Sequence, residues 1–276
     1  MSVVINTNIS SISAKRSLHE ASASLTEAME RLSSGKRING AKDDAAGMTV
    51  VTRMKAQISS LNQAVRNAND AISLISTYDG AADEIETILI RMRELATLSQ
   101  NATYTTEDRT NAGLEYSQLE AEINRIADKT KFNGSLDISS GGTNKSYSFQ
   151  VGFVAGDSVA VSLANLSAAT LASATVGTVD TAANAGTAVA RLDHALGALN
   201  SGRAVAGAAI NRLEHTVSNL MNVIQRTEEA RSRIEDADFA VESASLARAN
   251  VLTQAGSAML AQANQAPQYV LTLLRG

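Results

Sequence analysis

The chain has 276 residues, a formal net charge of −4, and 19% charged against 44% hydrophobic residues. It contains no Cys, no Trp, one Pro, three His and four Phe, yet 47 Ala, the residue that loses least on entering a helix. These figures exclude a disulfide framework, a thiolate nucleophile and a Cys-ligated metal. They give no basic footprint for nucleic acid and little of the aromatic and His material that lines an enzyme pocket.

From the N-terminus, residues 1–13 lack a basic stretch followed by an apolar one, so no secretory signal is expected there. The first charge is Lys15 and the last before Arg275 is Arg248. Both ends are therefore apolar and amide-rich, a composition suited to burial against copies of the same chain. Residues 249–274 are interrupted by Gln254, Gln262, Asn264, Gln265 and Gln268, and the uncharged stretch 158–179 by Ser, Thr and Asn. Neither reads as a membrane span.

Residues 32–47 place Gly35 and Gly40 near helix-ending positions, followed by Asp43 and Asp44 where the next helix would start. This predicts a helix–loop–helix joint. Beyond it, Met54, Ile58, Leu61, Val65, Ala68, Ile72 and Ile75 follow at steps of 4 and 3, an a/d seam over three heptads. The step breaks near Tyr78-Asp79-Gly80 and resumes through Ala82, Ile85, Leu89, Met92 and Ala96. A helix over about 42–100 would be roughly 85 Å long.

A shorter amphipathic helix is expected around Leu114, Leu119, Ile123 and Ile126. Ser140 to Ser146 has Asn144 where a phosphate loop needs Gly before its Lys, so it reads as a polar turn. Tyr147, Phe149, Val151 and Phe153 alternate with polar or small residues, Gly156-Asp157 offers a turn, and Val159, Val161 and Leu163 alternate again. That pattern is a β-hairpin. Residues 165–190 are Ala, Ser, Thr, Gly and Asn with almost no charge, and read as a short connector. A second seam follows in Ile210, Leu213, Val217, Leu220 and Ile224. Matching seams in the two distant halves predict an antiparallel arrangement. Glu235, Asp236 and Asp238 lack the spacing of a calcium loop and read as a charged helical turn. No His pair has metal-ligand spacing, and no cofactor site is expected.

Several of these segments resemble bacterial flagellin. Leu32 through Gly47 matches the family's L-S-S-G-x-R-I-N-x-A-x-D-D-A-A-G motif, with Gly35, Arg37, Asn39, Asp43, Asp44 and Gly47 among its fixed positions. Ile5-Asn6-Thr7-Asn8 is similar to its I-N-T-N start, and Arg233 through Ala240 to its R-I-E-D-A-D-[FY]-A run. Leu260 through Arg275 resembles its L-A-Q-A-N-Q-x-P-Q ending, and Phe149-Gln150-Val151-Gly152 its hairpin. The likeness spans roughly 1–165 and 190–276.

The resemblance implies a mainly α fold: a long antiparallel coiled-coil rod built from both chain halves, with a small mid-chain β-hairpin. Residues 1–40 with 236–276 would be inner-core terminal helices. Residues 41–235 would form the outer core, with helices about 42–100, 107–129 and 190–232 and a hairpin about 145–164. The connector leaves no room for large variable domains, so a short form is expected. The implied function is a non-enzymatic filament subunit for motility, located outside the cell and exported by the flagellar type III apparatus without a cleaved signal peptide. Ile5, Ile9, Leu252, Leu260, Val270 and Leu273 would serve terminal assembly.

Implied partners are other copies of the chain, an export chaperone, and the filament cap and hook–filament junction proteins. The vertebrate flagellin-sensing Toll-like receptor is also implied, through Arg91, Leu95 and Glu122 in the family's R-x-R-E-L and A-E-I contexts. The alternatives are the hook–filament junction protein itself, or a coiled-coil scaffold that does not polymerise.

Overall fold

The computed structural model describes residues 7–134, 136–137, 143–173 and 175–275, with the side chains of 136–137 and 266–275 outside the description. In order, the elements are α1 (Ile9–Ser34), α2 (Ala45–Gln100), α3 (Thr106–Lys129), β1 (Lys131–Phe132), β2 (Leu136–Asp137), β3 (Lys145–Gln150), β4 (Ser158–Leu163), α4 (Ala168–Leu171), α5 (Ala182–Glu235) and α6 (Phe239–Arg275). The chain divides into two compact units, residues 1–56 with 226–276 and residues 57–225. The fold is mainly α with a small antiparallel hairpin, as the heptad spacing and resemblance lead one to expect.

In the first unit, α1 and α6 run antiparallel. Asn8 caps α1 by accepting from the Ser11 amide, and its own amide nitrogen donates to the Ala263 carbonyl at 2.7 Å. Ser11 Oγ donates to Asn264 Oδ1 at 2.7 Å, Leu18 packs against Gly256, and Arg31 pairs with Glu242 at 3.1 Å. Gly35, at φ 70°, ends α1 in the left-handed region that an L side chain resists.

In the second unit, α2 and α5 are also antiparallel. Arg93 pairs with Asp193 at 2.6 Å, while Arg203, further along α5, pairs with Asp79, nearer the start of α2. The predicted seam of α2 faces inward: Ile58, Leu61, Ala68, Ile75, Ala82, Ile85, Leu89, Met92 and Ala96 are buried. The apparent break at Tyr78-Asp79-Gly80 does not interrupt the helix. Tyr78 is fully buried and carries the seam across, with two steps of three in succession (Ile72, Ile75, Tyr78) that shift its phase locally.

Two differences from the sequence reading have clear causes. The helix expected from about 190 begins at Ala182, because Ala182, Ala183, Ala185 and Ala188 favour helix and Thr181 Oγ1 accepts from the Asn184 amide at 3.2 Å. The connector is not merely a surface loop: it contains α4, and Leu166, Ala168, Leu171, Val176 and Val179 are buried in the core of this unit. A second small hairpin, β1–β2, turns at Asn133 (φ 53°) and Gly134 (φ 73°), the left-handed pair that Asn-Gly provides. The expected hairpin pairs β3 with β4, setting Tyr147 opposite Val161 and Phe149 opposite Val159, with Val159, Val161 and Leu163 turned to the core. Of the polar turn expected at 140–146, residues 140–142 lie outside the described residues.

Candidate functional site

The motif residues 35–47 pair with the segment that joins α5 to α6. The Arg37 amide donates to the Glu235 carbonyl at 2.7 Å, the Ala237 amide to the Gly35 carbonyl at 3.0 Å, and Lys36 bridges to Asp236. Arg37 also sends its guanidinium to the Ile234 carbonyl at 2.6 Å. At the centre is Glu235, only 4% exposed. Its carboxylate meets Lys55 Nζ at 2.6 Å, Lys36 Nζ at 3.1 Å and Arg231 Nε at 3.8 Å. Burial alone would raise its pKa, but the ammonium groups of Lys55 and Lys36 outweigh that and hold the carboxyl below its usual range.

The two aspartates of the motif have separate tasks. Asp43 Oδ2 accepts from the Asn39 amide at 2.9 Å and the Gly40 amide at 3.0 Å, and these donors lower its pKa. Asp44 Oδ1 accepts from the Gly47 amide at 2.8 Å and so caps α2. A Cβ on residue 47 would stand 2.3 Å from Asp44 Oδ2 and 2.8 Å from Ile38 Cδ1. Gly47 is therefore required by the cap and by Ile38 packing. The charged helical turn expected at 235–238 is corrected: α5 ends at Glu235, Asp236 enters the bridge, and Asp238 caps α6 by accepting from the Ala240 amide at 2.8 Å.

The α1–α6 pair exposes apolar surface. Ile9 is 71% exposed, Met259 64% and Leu252 52%, and they line an open groove of about 720 Å³ with Ala14, Ala21 and Ala255. Leu260 is half-buried. Ile5 and the side chains of Val270 and Leu273 lie outside the described residues.

Arg91, Leu95 and Glu122 do not form one exposed cluster. Arg91 is at the surface, bonded to Glu115 of α3 at 2.9 Å and to Glu94 at 3.1 Å. Leu95, four residues on, is buried in the core of its unit. Glu122 lies two helical turns along α3 from Glu115 and is held by Arg125 at 2.7 Å, which lowers its pKa. No group of three or more His, Asp or Glu able to hold a metal occurs among the described residues, and no described helix is long and apolar enough to cross a membrane.

Long seamed helices in one unit, and in the other terminal helices with an open apolar face and a hydrogen-bonded joint, define a helical structural protein. Two family models match the chain, the bacterial flagellin N-terminal helical region over residues 5–137 and the C-terminal helical region over residues 189–274. It is 44% identical to a flagellin of Halalkalibacterium halodurans, over 99% of this chain and all of that one. It is 36% identical to a flagellin of Listeria monocytogenes, over 98% of this chain and 99% of that one. It is 38% identical to the "flagellar filament 33 kDa core protein" of Treponema phagedenis, over 99% of this chain and all of the relative. The crystal structure of Bacillus cereus flagellin is similar at 33% identity and a TM-score of 0.48, over 56% of this chain and 88% of that one. The chain belongs to the bacterial flagellin family.

Proposed function

We propose that this chain is the structural subunit of a bacterial flagellar filament and has no catalytic role. The observation that carries this reading is the open apolar face of α1 and α6. Ile9, Leu252 and Met259 stand largely exposed around one groove, and the chain's end segments 1–14 and 249–274, to which they belong, carry no charge. Such a surface is covered by a partner in working proteins, and the full-length likeness to flagellins supports other copies of this chain as that partner. Residues 1–40 with 236–276 then form the inner core of the filament, and residues 41–235 its outer core.

In this reading the chain is exported by the flagellar type III apparatus and acts outside the cell. An export chaperone covers the C-terminal segment before export, and the filament cap and hook–filament junction proteins meet the ends of the polymer. The vertebrate flagellin-sensing Toll-like receptor reads the α2–α3 surface around Arg91 and Glu122, and Leu95 supports that surface from beneath.

The test is assembly of purified protein on filament seeds, followed by negative-stain electron microscopy. The full chain is expected to give filaments, and chains lacking residues 1–31 or 250–276 to remain unassembled. A discrete oligomer on a sizing column, with no filaments, would favour the non-polymerising scaffold instead.

A further inference from the structure

The inward sides of α2 and α5 are rich in Ala. Ala64, Ala68, Ala71, Ala82 and Ala96 are buried on α2, and Ala185, Ala188, Ala195 and Ala206 on α5. Both seams repeat at steps of three and four, so a displacement of one turn again sets seam residues opposite seam residues, and the repeat alone specifies axial alignment weakly. Leu61, Leu74, Ile75, Ile85, Leu89 and Met92 are buried among the alanines of α2, and Tyr78 is the largest side chain of the set. It heads the largest wholly buried side chains, and it faces Gly202. A Cβ on residue 202 would stand 3.1 Å from Tyr78 Oη and 3.2 Å from Ala164 Cβ. Glycine is a poor residue for the interior of a helix, and here the close approach of the Tyr78 hydroxyl and Ala164 explains it.

Two further observations converge on this point. The Tyr78 hydroxyl is wholly buried, with the Ala164 backbone beside it and no side-chain partner. Beside Gly202, Arg203 bonds Asp79 at 2.9 Å and Asp83 at 3.1 Å, and also Glu86. Those three carboxylates occupy successive turns of α2. An Arg203 displaced by one turn would still meet two of them. The ion pairs therefore tighten an alignment without selecting it, and a seam that repeats every three or four residues meets its partner again after the same displacement.

We propose that Tyr78 and Gly202 are positioning residues that select the axial register of α2 against α5, with Arg203 fastening the register they select. The Tyr78 hydroxyl fits opposite a position of α5 that lacks a side chain. A displacement of one turn drives it against a residue with a Cβ.

The chain has no Cys, so introduced cysteines can be labelled selectively. Thr87→Cys with Ser218→Cys places nitroxide labels on exposed positions of α2 and α5, and double electron–electron resonance on the full-length monomer reads their distance. With the parent core, one narrow distance is expected. Tyr78→Ala and Gly202→Ala should each add a second population displaced by about 5.4 Å, one helical turn. Tyr78→Phe, which removes the hydroxyl that approaches residue 202, should restore the single distance when combined with Gly202→Ala. If Tyr78→Ala loses its helicity by far-UV circular dichroism, Tyr78→Leu takes its place, and the second population is again expected. A single unchanged distance in both the residue 78 variant and Gly202→Ala, with helicity retained, overturns the proposal.

Discussion

Replacing Glu235 with Gln keeps the side chain's volume and removes the charge around which the joint is built. Removing one partner of a buried ion pair costs about 3–5 kcal/mol, because the remaining charge is left uncompensated. Here Lys36 and Lys55 are 45% and 42% exposed and can turn to water, which reduces the penalty. A loss of about 2 kcal/mol is expected, a shift of about 1 M in the urea midpoint followed by circular dichroism at pH 7. The pH dependence supplies the control. The folded carboxyl titrates below its ordinary value of 4.5, so its contribution is complete above that value and disappears as pH falls through the folded one. Parent and Glu235→Gln chains should therefore differ at pH 7 and converge at strongly acid pH. Equal midpoints at pH 7, or a difference that persists undiminished in acid, would refute the placement of Glu235 as the joint's buried anion.

Gly47→Ala should destabilise the chain by about 1 kcal/mol in thermal unfolding, although helix propensity alone favours Ala by about that amount, because the new Cβ displaces the Asp44 cap and Ile38. A raised Tm would contradict the structure. Leu95→Ala should cost about 3 kcal/mol in urea unfolding as a core truncation, whereas Arg91→Ala should leave the midpoint unchanged and lower signalling in a receptor assay. Full signalling by folded Arg91→Ala would remove it from the receptor surface. In the monomer, amides of Val251 to Leu260 should exchange with deuterium quickly and become protected in filaments; protection already present in the monomer would count against coupling of order to assembly.

The heptad spacing made the seams of α2 and α5 legible in the sequence, since period and burial are the same fact viewed from two sides. Tyr78 was obscured because it stands beside Asp79 and Gly80, a trio that reads as a turn and that tertiary packing overrides. The β1–β2 hairpin did carry a signal, Asn133-Gly134, but its two-residue strands are too short to show alternation. In the joint, Asp43 and Asp44 stand out as helix-start residues, while their division of labour depends on geometry. Glu235 gave no sign of its burial. Its partners Lys36 and Lys55 lie 199 and 180 residues away in the chain, and local charge patterning cannot see them.

The α1–α6 pair has its specific polar contacts near its ends, Asn8 and Ser11 against residues 263 and 264 at one and Arg31 against Glu242 at the other. Between them the contact is thin: Ser11, Ala21 and Ala28 are the buried residues of α1. Alignment is thus secured separately from adhesion. Ile9, Leu252 and Met259 gain a fixed mutual arrangement as a partner covers them, and much of the ordering entropy of the association falls due at the encounter. An arriving surface meets two helices placed in register by their end contacts and loose enough between them to adjust.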